Sequence, residues 1–231
     1  MARRSAPLLR LAGFTCGLLM LAATAACGQS SSPEPRTTTT EQADTSAHAK
    51  PETATAIFAG GCFWCMEPPF DQTPGVISST SGYTGGNLDH PTYEQVSGGR
   101  TGHAEAVQIE YDPARVTYAH LLEVFWHNVD PVAVDRQFCD RGSQYRSAIF
   151  VSGAKERELA EESKRTLQTS GRFDQPIATQ ILNVTTFWPA EDYHQNYYVK
   201  NPLRYKYYRY NCGRDQRLDR IWGTDRKYSG H

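Results

Sequence analysis

Six consecutive residues, Gly61-Cys62-Phe63-Trp64-Cys65-Met66, set two thiols three positions apart around two large aromatics. A strand-like run, Thr55-Ala56-Ile57-Phe58-Ala59, and a Gly60-Gly61 turn come just before. A strand, a glycine turn and then a cysteine predict a thiol on the first turn of a helix. There the unpaired N–H groups and the helix dipole favour a thiolate. A thiolate beside two aromatics reads as a nucleophile next to an apolar pocket.

A carboxylate in another segment could act with that thiol. In His103-Ala104-Glu105-Ala106-Val107-Gln108-Ile109-Glu110-Tyr111 the period of two puts Glu105 on the face of Val107, Ile109 and Tyr111. A carboxyl among apolar neighbours holds its proton and is a candidate general acid. The alternative is a strand-end glutamate that reaches water or pairs with Arg100. The polar run Cys139-Asp140-Arg141-Gly142-Ser143-Gln144-Tyr145-Arg146-Ser147 is either a site loop supplying Asp140 and Tyr145 or a surface loop held by Asp–Arg pairs. In Pro189-Ala190-Glu191-Asp192-Tyr193-His194-Gln195 the single histidine reads as structural. Cys62, Cys65, Cys139 and a histidine are possible zinc ligands. The aromatics between the CxxC thiols, and the absence of a second CxxC, argue against a metal.

The elements that must position these groups alternate between strand and helix. Helical patterns are expected over 62–70, stopping near Pro68-Pro69, from an N-cap at Thr117 with Leu121, Leu122 and Phe125 inward, over 154–169 closed by Gly171, and over 191–200. Strands are expected over 76–81, 104–111, 147–152 and 177–184. This alternation predicts an α+β fold, a mixed sheet with helices packed on it.

The chain has 231 residues and a formal net charge of −1, which gives no electrostatic reason to expect a nucleic-acid partner. Seven of its thirteen tyrosines fall between Tyr193 and Tyr210, as in a packed domain rich in hydroxyl hydrogen bonds. Residues 1–26 read as a leader, with Arg3, Arg4 and Arg10 ahead of a short apolar stretch. Small residues stand just before Cys27, the pattern of a lipoprotein signal in which that sulfur is lipidated. Ordinary secretion with cleavage near Ala26 is the alternative. The expected location is the periplasm or cell surface, with the N-terminal lipid as the only membrane attachment. Residues 27–54, rich in Ser, Thr and Pro, read as a disordered tether, 55–223 as the catalytic domain and 224–231 as a tail. Removing 1–26 takes away three arginines and no acid, leaving a net charge of −4. Cys62, Cys65, Cys139 and Cys212 then remain in the domain. A domain of this size folds without staples, and two thiols three apart at a helix start suggest redox work.

Taken together and in this order, the segments from Gly61 to Asp71, Ser81-Gly82-Tyr83-Thr84-Gly85-Gly86, Pro91-Thr92-Tyr93, Thr101-Gly102-His103-Ala104-Glu105-Ala106-Val107, Asp140 to Ser147 and Pro189 to Gln195 resemble the peptide methionine sulfoxide reductase A family. The resemblance spans nearly all of 55–222. It implies a two-layer α+β sandwich and reduction of the S epimer of methionine sulfoxide, protein-bound or free. Cys62 would attack the sulfoxide sulfur, and Glu105 would protonate its oxygen. Tyr93, Asp140 and Tyr145 would bind that oxygen and a water, and Phe63 and Trp64 would receive the S-methyl group. A sulfenic acid on Cys62 would then be resolved to a disulfide. Cys65 ranks first as resolving thiol, with Cys212 as competing resolver or second relay; Cys139 is expected to be a buried, small apolar side chain. A thioredoxin-like protein would regenerate the thiols. No cofactor is implied, and a monomer is expected.

Overall fold

A computed structural model describes residues 52–229. The leader, the Cys27 lipidation site and the tether up to residue 51 lie outside the described residues. Strands β1 (Ala54–Gly60), β2 (Val76–Thr84), β3 (Ala104–Tyr111), β4 (Arg136–Gln137), β5 (Asp140–Arg141), β6 (Ser147–Val151), β7 (Gln180–Asn183) and β8 (Trp188–Pro189) alternate with seven α-helices. These are α1 (Glu67–Asp71), α2 (Tyr93–Ser97), α3 (Tyr118–Trp126), α4 (Ala154–Thr169), α5 (Tyr197–Lys200), α6 (Pro202–Asn211) and α7 (Arg214–Trp222). Six strands form one sheet in the order β7-β6-β1-β3-β2-β8, and β4 and β5 form a separate two-residue hairpin. All neighbours in the large sheet are antiparallel except β6 and β7, which α4 joins as a parallel crossover. The sheet is mixed, as the alternation of patterns implied.

β1 is central and buried on both faces, so it reads as an unbroken apolar run rather than an alternating one. Ala56 and Phe58 join Val107, Ile109 and Tyr111 in the main core, against Phe70, Leu121, Leu122, Phe125 and Leu218. Ile57 and Ala59 face the other side with Ala104, Ala106 and Ala148, where Phe187 packs on them. A Cβ on Gly82 would lie 2.4 Å from the Phe187 ring, so this strand position needs glycine for the close approach. α3 starts as expected: the Thr117 hydroxyl accepts the His120 N–H at 3.2 Å, and Leu121, Leu122 and Phe125 are buried. α4 matches its expected span, and Gly171 follows its end with φ +72°.

Other elements differ from expectation, each for a local reason. The helix over 62–70 divides into a 3-10 turn, Phe63–Cys65, and the short α1. Pro68 and Pro69 lack an N–H to continue the ladder. The strand over 177–184 shortens to β7 because the amides before it are used elsewhere. Ile177 donates to the Gln168 side chain at 2.7 Å, and Ala178 donates to the Pro131 carbonyl at 2.7 Å. The helix over 191–200 is confined to α5, since Asn196 sits at φ +52° and interrupts the turn before it. Residues 224–229, set apart as tail, are tied to the domain. The Tyr228 carbonyl accepts from Asn128 at 2.9 Å, and Lys227 pairs with Glu123 at 3.1 Å.

Candidate active site

The turn that presents Cys62 is built by Gly61, whose φ of +83° favours glycine. A Cβ there would also lie 2.5 Å from Gln137. Cys62 caps the 3-10 turn, and its carbonyl accepts the Cys65 N–H at 3.0 Å. The Phe63 N–H donates to Glu105 Oε2 at 3.1 Å. The amide expected to face a thiolate is thus spent on a carboxyl, and the turn is too short to bring a strong dipole. The expectation of a helix-stabilised thiolate is corrected accordingly. Burial first, then the hydrogen bond with Cys65 and the nearby carboxyls, push the Cys62 thiol well above its usual range. Cys65 moves the other way, to about 7. The Cys62 hydrogen bond outweighs burial there, with help from the Arg214 and Arg209 guanidiniums. The two buried thiols titrate as a pair.

Glu105 opens β3 on the main-core face, as its alternation with Val107 implied, and is 2% exposed. It does not reach water, and its hydrogen bond goes to Phe63, not to Arg100. Burial raises its pKa to about 8 despite the Phe63 N–H, with Asp140 adding to the rise, so it keeps its proton at neutral pH. A protonated carboxyl thus lies within one residue of the thiol, on the backbone bond between Cys62 and its pocket.

The aromatics surround this pair. The Trp64 ring stacks on Tyr197 at 3.7 Å and meets Tyr208 edge-on at 5.8 Å. Phe63 packs at 5.0 Å from the His194 ring, and Tyr93 packs on that same ring at 4.4 Å. Burial raises the Tyr93 hydroxyl to about 12 and lifts Tyr145 as well; the charges of Glu105, Cys62 and Asp140 add to both, so the two tyrosines lie near the acid and the thiol. Asp140 is raised by burial against the Tyr208 hydroxyl, which donates to its Oδ2 at 2.6 Å. Asp140 and Tyr145 therefore belong to the site rather than to a surface loop. The structure brings Cys62, Cys65, Phe63, Trp64, Tyr93, Glu105, Asp140 and Tyr145 together.

Four further residues support them. His194 is 1% exposed and held neutral by burial, and its Nδ1 accepts the Trp64 indole N–H at 3.0 Å. The Glu191 carboxylate accepts the Tyr83 hydroxyl and the Tyr93 N–H, each at 2.9 Å. Burial opposes its charge, but these bonds hold its pKa below the usual carboxylate range. Arg214 is 1% exposed and donates to the Gly60 carbonyl at 2.8 Å and the Asn128 carbonyl at 2.9 Å, directly under the thiol turn. Deleting it would leave two buried carbonyls unpaired, at about 1–3 kcal/mol each. Arg209 pairs with Asp215 at 2.7 Å and reaches Tyr205 at 3.1 Å. Glu191 and His194 lie in a segment the sequence singled out; the two arginines gave no signal in it.

Cys139 is not the buried apolar side chain expected. It is exposed and joined to Cys212 in a disulfide with a Cα–Cα distance of 4.8 Å. Cys212 therefore carries no thiol in this state, while Cys62 and Cys65 are free.

Comparison with known proteins agrees with this geometry. The family model described as "Peptide methionine sulfoxide reductase" matches residues 54–226. The peptide methionine sulfoxide reductase MsrA of Bacillus licheniformis is 54% identical over 168 residues, covering 73% of this chain and 93% of that protein. The same-named protein of Bacillus subtilis is 52% identical over 169 residues, 73% of this chain and 96% of its own length. Among solved structures, methionine sulfoxide reductase A of Corynebacterium diphtheriae aligns with a TM-score of 0.60 and 37% identity, covering 67% of this chain and 77% of that one. With a family model matching residues 54–226 and relatives more than half identical, the chain belongs to the peptide methionine sulfoxide reductase family.

Proposed function

We propose that the chain reduces the S epimer of methionine sulfoxide, protein-bound or free, to methionine. The observation that carries this reading is Glu105, a buried carboxyl that keeps its proton at neutral pH and is bonded to the amide next to Cys62. A sulfoxide oxygen leaves a sulfur poorly unless it is protonated, and thiol attack alone does not supply that proton. Glu105 protonates the oxygen while Cys62 Sγ attacks the sulfur. The Tyr93 and Tyr145 hydroxyls bind the same oxygen, with Asp140 beside them. Trp64, held by His194 and Tyr197, and Phe63 enclose the methyl group. Sulfoxide and thiol become thioether and sulfenic acid, with no net gain or loss of protons.

Cys65 then attacks the Cys62 sulfenic acid, forming a disulfide and releasing water. Its lowered pKa supports this role, because the attacking species is a thiolate. A dithiol protein of the thioredoxin type returns both cysteines to thiols by disulfide exchange, and the chain works as a monomer. We also infer that it is exported and anchored through lipid on Cys27, so that it repairs oxidised proteins of the periplasm or cell surface. The pattern of 1–27 supports this, and the Cys139–Cys212 disulfide suits an oxidising compartment. Metabolic labelling with a fatty acid tests the anchor: incorporation that survives Cys27→Ala would contradict it.

The activity test supplies each epimer of free methionine sulfoxide with dithiothreitol, alongside insulin disulfide reduction. The S epimer is expected to be consumed and the R epimer left. Insulin reduction as the only activity would overturn the reading.

A further inference from the structure

The Cys139–Cys212 disulfide lies against Asp140, and its neighbours give it a specific task. Asp140 is adjacent to Cys139 in the chain. Its Oδ1 lies 3.6 Å from Cys139 Sγ, and its Oδ2 lies 3.8 Å from Cys212 Sγ. That same Oδ2 accepts the Tyr208 hydroxyl. Tyr208 and Cys212 are one helical turn apart, with the Cys212 N–H donating to the Tyr208 carbonyl at 2.9 Å. The bridge therefore ties the end of α6, which carries Tyr208, to the strand that carries Asp140.

The hairpin of β4 and β5 does not hold this geometry well alone. Only two residue pairs form its ladder, Arg136 with Arg141 and Gln137 with Asp140. Two of its non-glycine residues, Asp135 at φ +45° and Phe138 at φ +53°, occupy the left-handed region. Phe138 is pinned under the Arg214 guanidinium at 4.4 Å, and Gln137 bonds to the Asp130 backbone. Beyond Gln137 the disulfide is the only covalent tie between the hairpin tip and α6.

We propose that the Cys139–Cys212 disulfide is a positioning element of the active site: closed, it holds Asp140 against Tyr208 and beside Cys62 and Glu105; open, it frees the hairpin tip and the site loses its alignment. This rests on the reductase reading above. Opening consumes one dithiol, which is oxidised to its disulfide as Cys139 and Cys212 become thiols. A dithiol that recycles Cys62 and Cys65 could thus also lower the activity of the site. The bridge acts through Asp140 and touches no reacting atom.

The test separates positioning from electron relay by measuring a single turnover, in which no recycling takes place. Wild-type protein is brought to the state with Cys62 and Cys65 as thiols and the distant bridge closed, confirmed by mass mapping. It is mixed with methionine-S-sulfoxide without reductant, and methionine is measured against time. The same is done with wild type fully opened by excess dithiothreitol and then freed of it, and with the double variant Cys139→Ser/Cys212→Ser. Misalignment of a positioned group by about 1 Å costs about a hundredfold, so the opened protein and the double variant are each expected to be ten- to a hundredfold slower at saturating substrate. Adding Tyr208→Phe to the double variant should slow it by no more than about twofold, because both changes act through Asp140. An opened wild type as fast as the closed one overturns the proposal. It fails equally if only multiple turnover falls, the mark of a relay, or if only the thermal midpoint falls, the mark of a staple. If the closed wild type yields no methionine at all, the reductase reading has failed instead.

Discussion

The chain holds two cysteine pairs that differ in nearly every physical respect. Cys62 and Cys65 are three residues apart on one 3-10 turn, buried and reduced, among a protonated glutamate and two guanidiniums. Cys139 and Cys212 are 73 residues apart, partly open to solvent and oxidised. A bridge across two intervening residues restrains little of the unfolded chain, so closing and opening it changes stability little. A bridge closing a loop of 73 residues is worth about 4 kcal/mol on the chain-entropy account. The local pair is thus built to cycle and the distant pair to hold. Each group in the site then has a side in the comparison. Glu105, Arg209 and Arg214 set the chemistry of the first pair, while Asp140 and Tyr208 take their places from the second.

The largest expected break of that contrast is Cys62→Ser. First-turnover methionine formation should disappear while the Cys139–Cys212 bridge and the thermal midpoint persist, as read by mass mapping and circular dichroism. Substantial remaining turnover would place the nucleophile elsewhere. Next is Glu105→Gln, expected to lower the single-turnover rate by about 10²–10⁴-fold, the scale of a lost general acid. In the wild type the acid form exists below a pKa of about 8, so the rate should fall as pH rises through that value, and the variant should lack this limb. The same raised pKa bears on stability. The folded chain keeps a proton that the unfolded chain has released above about 4.5, so this contribution is full below that pH and lost as pH rises through 8. Glu105→Gln should therefore melt higher than wild type above pH 8, and the difference should vanish towards pH 4. A flat profile in both would mean that Glu105 is not the acid.

The two pairs were not equally legible in the sequence. Period-two alternation placed Glu105 on the core face, and the Gly-Gly-Cys run placed Cys62 at a turn, because both signals are local. The helices α3 and α4 were legible for the same reason, through Thr117 as cap and Gly171 as stop. The distant bridge was not, because nothing in the spacing of Cys139 and Cys212 fixes their meeting. α6 and α7 were also missed. α6 buries Tyr205 and Arg209 rather than aliphatics, and α7 opens on a buried Arg214 ahead of Leu218, Ile221 and Trp222; each guanidinium is satisfied by carbonyls or a carboxylate. Hydrophobic periodicity cannot find a face that is buried in that way. The partner of the Phe63 amide was hidden too, because it is a glutamate 42 residues away.

Between these two effects and the smallest lies Cys65→Ser. It should leave the first turnover near wild type and lower steady-state turnover on the order of tenfold, because the sulfenic acid on Cys62 then waits for an external thiol. Steady-state assays with a thioredoxin-type reductant check it. If Cys212→Ser alone gives this pattern, the division between cycling and holding pairs is wrong.

The smallest effect concerns how the fold sets the titration of the first pair. Arg209 lies against the Cys65 turn, with its Nη1 3.5 Å from the Cys65 carbonyl, and its charge helps hold Cys65 at about 7. Arg209→Gln removes that charge, and the neutral side chain no longer favours the thiolate. Its partner Asp215 keeps a second guanidinium, Arg226 at 2.5 Å, so the carboxylate is not stranded. The midpoint of thiolate formation, followed by ultraviolet absorbance with the distant bridge closed, should rise from about 7. Arg209→Lys, which keeps the charge but not the planar fork, should move it less. Equal movement in both variants would show that packing under the turn, not the Arg209 charge, governs the pair. The low Cys65 pKa would then rest on its hydrogen bond with Cys62 and on the Arg214 charge, which together outweigh burial.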